Sequence, residues 1–165
     1  MAIFDHFGEL STAQDLTAGT AQTENVVDLA ALGIQGYGPD SDVYIDMTCE
    51  TAATGDSADT FVYDWIVADS TDLDNGTEVT NYFTVFTVGI LGVLDVRQTV
   101  AGNKIFTCRM PDQVWQLAKE GFRYFGCNMT ISAGSTVSVN VTINTSKPRT
   151  PDNQQVTTSN VGVPS

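Results

Sequence analysis

The stretch Asp69–Glu78 reads DSTDLDNGTE and gathers three aspartates and a glutamate around an Asn-Gly pair. Such a cluster suggests calcium. An EF-type loop needs oxygen ligands at alternating positions, a Gly at the sixth and an acid at the twelfth. Counted from Asp72, Asp74 falls third but Gly76 falls fifth. Counted from Ser70, Asp72 and Asp74 fit, but Asn75 is sixth and Asn81 twelfth. Neither register works. Asp74, Asn75 and Gly76 also suit a tight turn, because Asn and Gly tolerate positive φ. The stretch is therefore expected to be a solvated turn. A non-EF calcium site shared with Asp56 or Asp59 remains compatible with the sequence.

Other chemistries are poorly supplied. The single histidine, His6, leaves no set for zinc, for a cupin-like iron site or for a Ser-His-Asp or Cys-His machine. The cysteines Cys49, Cys108 and Cys127 have no CxxC or zinc spacing and are expected as reduced, mostly buried thiols. Asp46, Glu50 and Asp64 lie on strand-like segments and could in principle form a glycosidase pair. Acids that alternate with apolar residues more commonly mark the wet face of a strand. Tyr44, Tyr63, Trp65 and Trp115 are core candidates first and a sugar-stacking face second. No glycine-rich phosphate loop is present. We expect no enzyme activity, cofactor or metal.

The elements that carry these residues are mostly strands. VYIDMTCE alternates, with Val43, Ile45, Met47 and Cys49 on one face. FVYDWIVA places Phe61, Tyr63, Trp65 and Val67 together. Two further runs, about 79–88 and 90–97, are expected as strands, then KIFTCRM. MPDQVWQLAKEG breaks the rhythm: Pro111 and Asp112 can start a helical turn with Val114, Trp115 and Ala118 inward and Gly121 ending it. FRYFGCNMTIS and TVSVNVTINT resume alternation, through Phe125, Cys127, Met129 and Ile131 and through Val137, Val139, Val141 and Ile143. About eight short strands with uneven connections predict an all-β fold, a jelly-roll β-sandwich with extended N- and C-terminal arms. The expected divisions are an N-terminal arm over 1–22, a jelly-roll domain over 23–146 and a Pro-rich tail over 147–165.

Net charge is −13, and residues 1–96 hold seventeen acids and no Lys or Arg. All seven basic residues follow. Such a chain repels a phosphate backbone, so nucleic acid is not an expected partner. The start MAIFDHFGELS lacks the pattern of a secretory signal, and no apolar run reads as a membrane helix.

The order of segments FGELSTAQDLTAGTAQTENVVDLAALG, VYIDMTCETAATG, FVYDWIVADSTDLDNGTEV, AGNKIFTCRMP and FRYFGCNMTISAGSTVSVNVTIN resembles the cement (decoration) proteins of tailed double-stranded DNA bacteriophage capsids. The resemblance spans roughly residues 8–145. The WQLAKEG insertion, the apolar segment 79–96 and the Pro-rich tail depart from that layout. The resemblance implies a jelly roll made in the bacterial host cytoplasm. It further implies binding on the outer capsid surface as a homo-oligomer, dimer or trimer, that ties major capsid proteins together. It implies no catalytic residue. On this reading Ile3, Phe4, Phe7 and Leu10 of the arm, with Pro148 and Pro151 of the tail, are the expected capsid or oligomer contacts. The apolar cluster of the arm could equally cap its own sandwich. The alternative function is a carbohydrate-binding jelly-roll module on a phage particle, using Tyr63, Trp65 or Trp115.

Overall fold

The computed structural model describes residues 8–71, 73 and 81–144. In chain order the elements are β1 (Glu9–Leu16), β2 (Gly19–Gln22), β3 (Val27–Asp28), α1 (Leu29–Ile34), β4 (Tyr44–Thr54), β5 (Thr60–Ala68), β6 (Tyr82–Leu91), β7 (Lys104–Arg109), α2 (Asp112–Lys119), β8 (Tyr124–Ile131) and β9 (Thr136–Asn144). One sheet has the order β1-β9-β4-β7 and the other β2-β8-β5-β6, with β3 also pairing β8. Every pairing is antiparallel.

This order is a jelly roll. The pairs β1·β9, β2·β8, β4·β7 and β5·β6 are the rungs of one long antiparallel hairpin. Rolling that hairpin up brings β9 against β4 and β8 against β5, which closes each sheet. The tip of the hairpin is the β5–β6 connection, which contains DSTDLDNGTE.

The alternating strands behave as their patterns require. Val43, Ile45, Met47 and Cys49 are buried, as are Phe61, Tyr63, Trp65 and Val67. So are Phe125, Cys127, Met129 and Ile131, and Val137, Val139, Val141 and Ile143. Trp65 lies at the centre. Its ring stacks on Phe86 at 5.7 Å and on Phe125 at 5.6 Å, and contacts Phe106 at 6.0 Å. Phe86 and Phe106, from the two facing edge strands, meet at 5.2 Å and close that side of the sandwich.

Two expectations are corrected, and one element is added. Residues 9–22 are not an arm: they form β1 and β2, one in each sheet, because Leu10 and Leu16 supply buried side chains to the core. Residues 92–97 are not a strand: Gly92 has φ +81° and Asp95 receives the Gln98 N–H, so the chain turns. The sequence pattern does not announce α1, the short helix between Asp28 and Gln35. Asp28 caps it, accepting from the Ala30 and Ala31 N–H groups at 3.0 and 3.4 Å, and Leu29 and Leu32 point inward. The α2 turn forms as expected, with Pro111 at its start, Val114 and Trp115 buried, and Gly121 at φ +107° after its end.

The charge asymmetry becomes a set of cross-links. Lys104 meets Asp46 at 2.6 Å, Arg123 meets Asp28, Arg109 lies 3.9 Å from Asp42, and Arg97 meets Asp95 at 2.7 Å. The late basic residues thus land beside early acids.

Two outcomes are expected. Trp65→Ala lowers unfolding free energy by about 3–5 kcal/mol, read from urea denaturation, because a buried ring with three aromatic neighbours is lost. The second concerns Asp28. The Arg123 guanidinium, chiefly, and the α1 N–H groups hold its carboxyl below the ordinary 3.8. Its contribution is present above 3.8 and disappears as pH falls through the lower folded value. Asp28→Asn should therefore flatten the acid limb of stability against pH; an unchanged limb refutes the assignment.

Candidate interaction surface

The carboxylates considered for catalysis do not converge. Asp46 and Glu50 project from β4 in one sheet, Asp64 from β5 in the other, each next to inward-facing neighbours. They face away from each other across the sandwich. Each has a structural partner: Lys104 Nζ on Asp46, Asn140 Nδ2 on Glu50 at 2.6 Å, and Thr87 Oγ1 on Asp64 at 2.5 Å. Tyr63 and Trp65 are fully buried and Trp115 nearly so, which removes them as a sugar-stacking face. The thiols are free, and burial pushes all three up, Cys108 to about 11 and Cys127 well beyond the ordinary value. They are protonated and inert as nucleophiles at neutral pH.

The hairpin tip is described in part. Residues 72 and 74–80 lie outside the described residues, and with them Asp74, Asn75 and Gly76. Leu73, between the acids, is fully buried over the outer face of the β2-β8-β5-β6 sheet beside Ile66 and Ala68. Gly126 makes room for it: a Cβ there would lie 2.5 Å from Leu73 Cδ1. Gln22 Oε1 accepts the Leu73 N–H at 2.9 Å, and Asn128 Nδ2 donates to the Leu73 carbonyl. Two side chains therefore satisfy that backbone as a neighbouring strand would. Asp69 receives the Asn81 N–H and Nδ2 at 3.2 and 2.9 Å, which pins the foot of the tip. Asp56 and Asp59 precede β5 while Asp69 follows it, so about 30 Å of strand separates them. Asp69 therefore cannot share a calcium ion with Asp56 or Asp59. Asp59 already accepts from Ser135 Oγ and the Asp56 N–H, each at 2.6 Å. Among the described residues no group of three His, Cys, Asp or Glu side chains could hold a metal ion.

Of the expected contact residues, only Leu10 is described. It is 1% exposed and belongs to the sandwich core, so it cannot also reach a partner. Ile3, Phe4, Phe7, Pro148 and Pro151 lie outside the described residues, as does His6.

The surface that stands out was noted in the sequence only as an apolar segment. The β6–β7 connection turns its side chains the wrong way round. Leu91, Leu94, Val96 and Val100 are 70%, 80%, 69% and 55% exposed, while Gln98 among them is 0% exposed. Gln98 is the clamp. Its Oε1 accepts from Tyr63 Oη at 3.4 Å, and its Nε2 donates to the Gly92 carbonyl at 3.3 Å. Its own carbonyl accepts the Ala53 N–H at 2.8 Å. Asn103 Nδ2 donates to the Val96 carbonyl at 2.7 Å, and the Gly102 N–H to the Cys49 carbonyl at 2.7 Å. Gly92 is required at the bend: besides its positive φ, a Cβ would lie 2.5 Å from the Ser57 carbonyl oxygen.

The loop is thus fastened by polar groups from within and presents apolar ones outward. Its charged side chains, Asp95 and Arg97, neutralise each other, and Arg97 holds the Asp95 carboxyl below the usual range. The result is a neutral apolar tip on a strongly acidic molecule. Isolated exposed apolar residues are ordinary; Leu94, Val96 and Val100 in this loop, with Leu91 at the end of β6, make it a candidate contact surface.

Gln98→Ala should leave the buried Tyr63 hydroxyl and Gly92 carbonyl without their partner. The expected cost is about 1–3 kcal/mol in unfolding free energy. Amide exchange in residues 92–103 should accelerate with it; unchanged exchange there would show that Gln98 does not hold the loop.

Compared with known proteins, the chain matches no family model, no curated protein and no solved structure.

Proposed function

We propose that this protein is a structural virion component that binds the outer surface of a tailed-phage capsid and cements neighbouring major capsid proteins. The observation that carries the reading is the apolar tip Leu91, Leu94, Val96 and Val100, fastened by buried Gln98 and set on a jelly roll whose polar side chains are tied into the fold. An adhesive protein needs a rigid, desolvatable surface and no reacting group. The segment order that resembles capsid cement proteins supplies the partner. The acidic surface suits a position outside the shell, away from packaged DNA.

Magnitudes say how such a protein must bind. Full burial of four Leu and Val side chains gains roughly 6–12 kcal/mol. Association costs about 4–15 kcal/mol. One tip alone therefore comes out near balance. Firm attachment requires further contacts or more than one tip per assembly, which a repetitive shell can offer.

The test uses virions of the phage that encodes the chain. The protein is expected in many copies on purified particles, and particles lacking it should release DNA at lower temperature. Absence from purified virions overturns the reading. Leu94→Asp with Val96→Asp should reduce occupancy on the shell at least tenfold with an unchanged circular dichroism spectrum. Full occupancy by that variant would remove the tip from the reading. A test of the N-terminal segment must stop before Gly8, since deletion through Leu10 removes a core side chain and part of β1.

A further inference from the structure

Among the described residues the sandwich has four strand edges, and three are blunted. β1 carries two register shifts, with Ala13 at φ +47° inside the second. β2 is four residues long. β7 is six residues long with Lys104 and Arg109 at its ends. Bulges, brevity and charge are the usual devices that keep a free edge from pairing with another chain.

β6 is different. It is ten residues long, YFTVFTVGIL, with no charge and no proline, in a chain of net charge −13. One register shift, at Val85, leaves Phe86–Leu91 as a regular six-residue run against β5. In that run Phe86, Val88 and Ile90 face the core, while Thr87, Gly89 and Leu91 face outward. β6 ends the strand order of its sheet, so among the described residues no strand pairs its outer edge.

We propose that the β6 edge, through Phe86–Leu91, pairs antiparallel with the same strand of a second copy. The occupant follows from what the edge lacks. A strand that selects a foreign partner can use charge to recognise it, and this one has none. Its recognition elements are backbone N–H and C=O groups flanked by apolar and threonine side chains, which are self-complementary under a two-fold axis. Two copies can meet here without placing carboxylate against carboxylate. The pair would extend the β2-β8-β5-β6 path across the axis into one continuous sheet. It is closed, because both copies use the same edge. Antiparallel pairing also sends the two β6–β7 tips in opposite directions along the strand axis, giving an assembly with an apolar contact at each end. The pairing rests on the edge alone and is independent of the capsid reading.

Sedimentation equilibrium of the full chain tests it. A monomer–dimer equilibrium is expected, tightening as salt is raised, because the overall repulsion between acidic copies is screened while the neutral contact is not. Gly89→Lys places a charge at the middle of the edge. A Cβ there meets nothing within 4 Å, so the monomer should keep its spectrum and melting temperature. The substitution is expected to raise the dissociation constant by roughly tenfold or more. Ile34→Lys, which removes an exposed apolar side chain elsewhere, should leave it unchanged. Amide exchange of residues 86–91 should slow as protein concentration rises. A monomer at all concentrations, a trimer or larger species, or a dimer indifferent to Gly89→Lys overturns the proposal. A dimer that fails to bind capsids overturns the function proposed above and leaves this pairing standing.

Discussion

The structure depends on the insertion of the last two strands between earlier ones. β9 is the only strand that pairs β1 among the described residues, and it separates β1 from β4. β8 does the same for β2 and β5. Without β8 and β9, what remains is β1, β2 and β3 without partners and two separate pairs, β4·β7 and β5·β6, each without its central strand. The pairings are also long in sequence: Glu9 meets Thr142, and Gly19 meets Ile131. Contacts of this kind carry a loop-closure cost before they return any stabilisation, so folding should be slow and cooperative. Trp65 lies on β5 within this closure, and its contact with Phe125 of β8 exists only once the roll is complete.

Electrostatics reinforces the same closure. The chain separates its charges by position, yet the roll interleaves the two halves. Lys104 reaches Asp46, and Arg123 reaches Asp28. Each ion pair is partly exposed and contributes little singly. Their placement matters more than their strength, since each joins an element before β5 to one after β6.

Much of this was legible in the residues, for a physical reason. In a sandwich with one buried face per strand, period-two alternation is a direct record of burial, so Val137 to Ile143 and Ile45 to Cys49 could be placed before any coordinates. The failures share a cause as well. β1 is hidden because ELSTAQDL supplies only two large apolar residues, with its bulge between them, and polar strands at an edge resemble loops. The helix at Leu29 is too short for its period to register. Leu73 looked like one apolar residue among acids; its burial follows from Gly126, Gln22 and Asn128, which are far away in sequence. The apolar tip was visible as composition but not as orientation. Nothing local says that Gln98 goes inward while Leu94 and Val96 go outward, because the partner that draws it in, Tyr63, comes from another strand.

The late arrival of β8 and β9 has a consequence for biosynthesis. A nascent chain that has emerged as far as α2 already exposes β5 and β6, its most apolar strands, with no β8 to cover them. For that interval it is an aggregation hazard. Over the first ninety-six residues every ionisable side chain apart from His6, Cys49 and the tyrosines is an acid. Such a polyanionic leader repels its neighbours on the polysome until the closing strands appear. The bases that neutralise part of it all follow residue 96, five of them ahead of β8. The order of charges along the chain therefore matters during synthesis as well as on the finished surface.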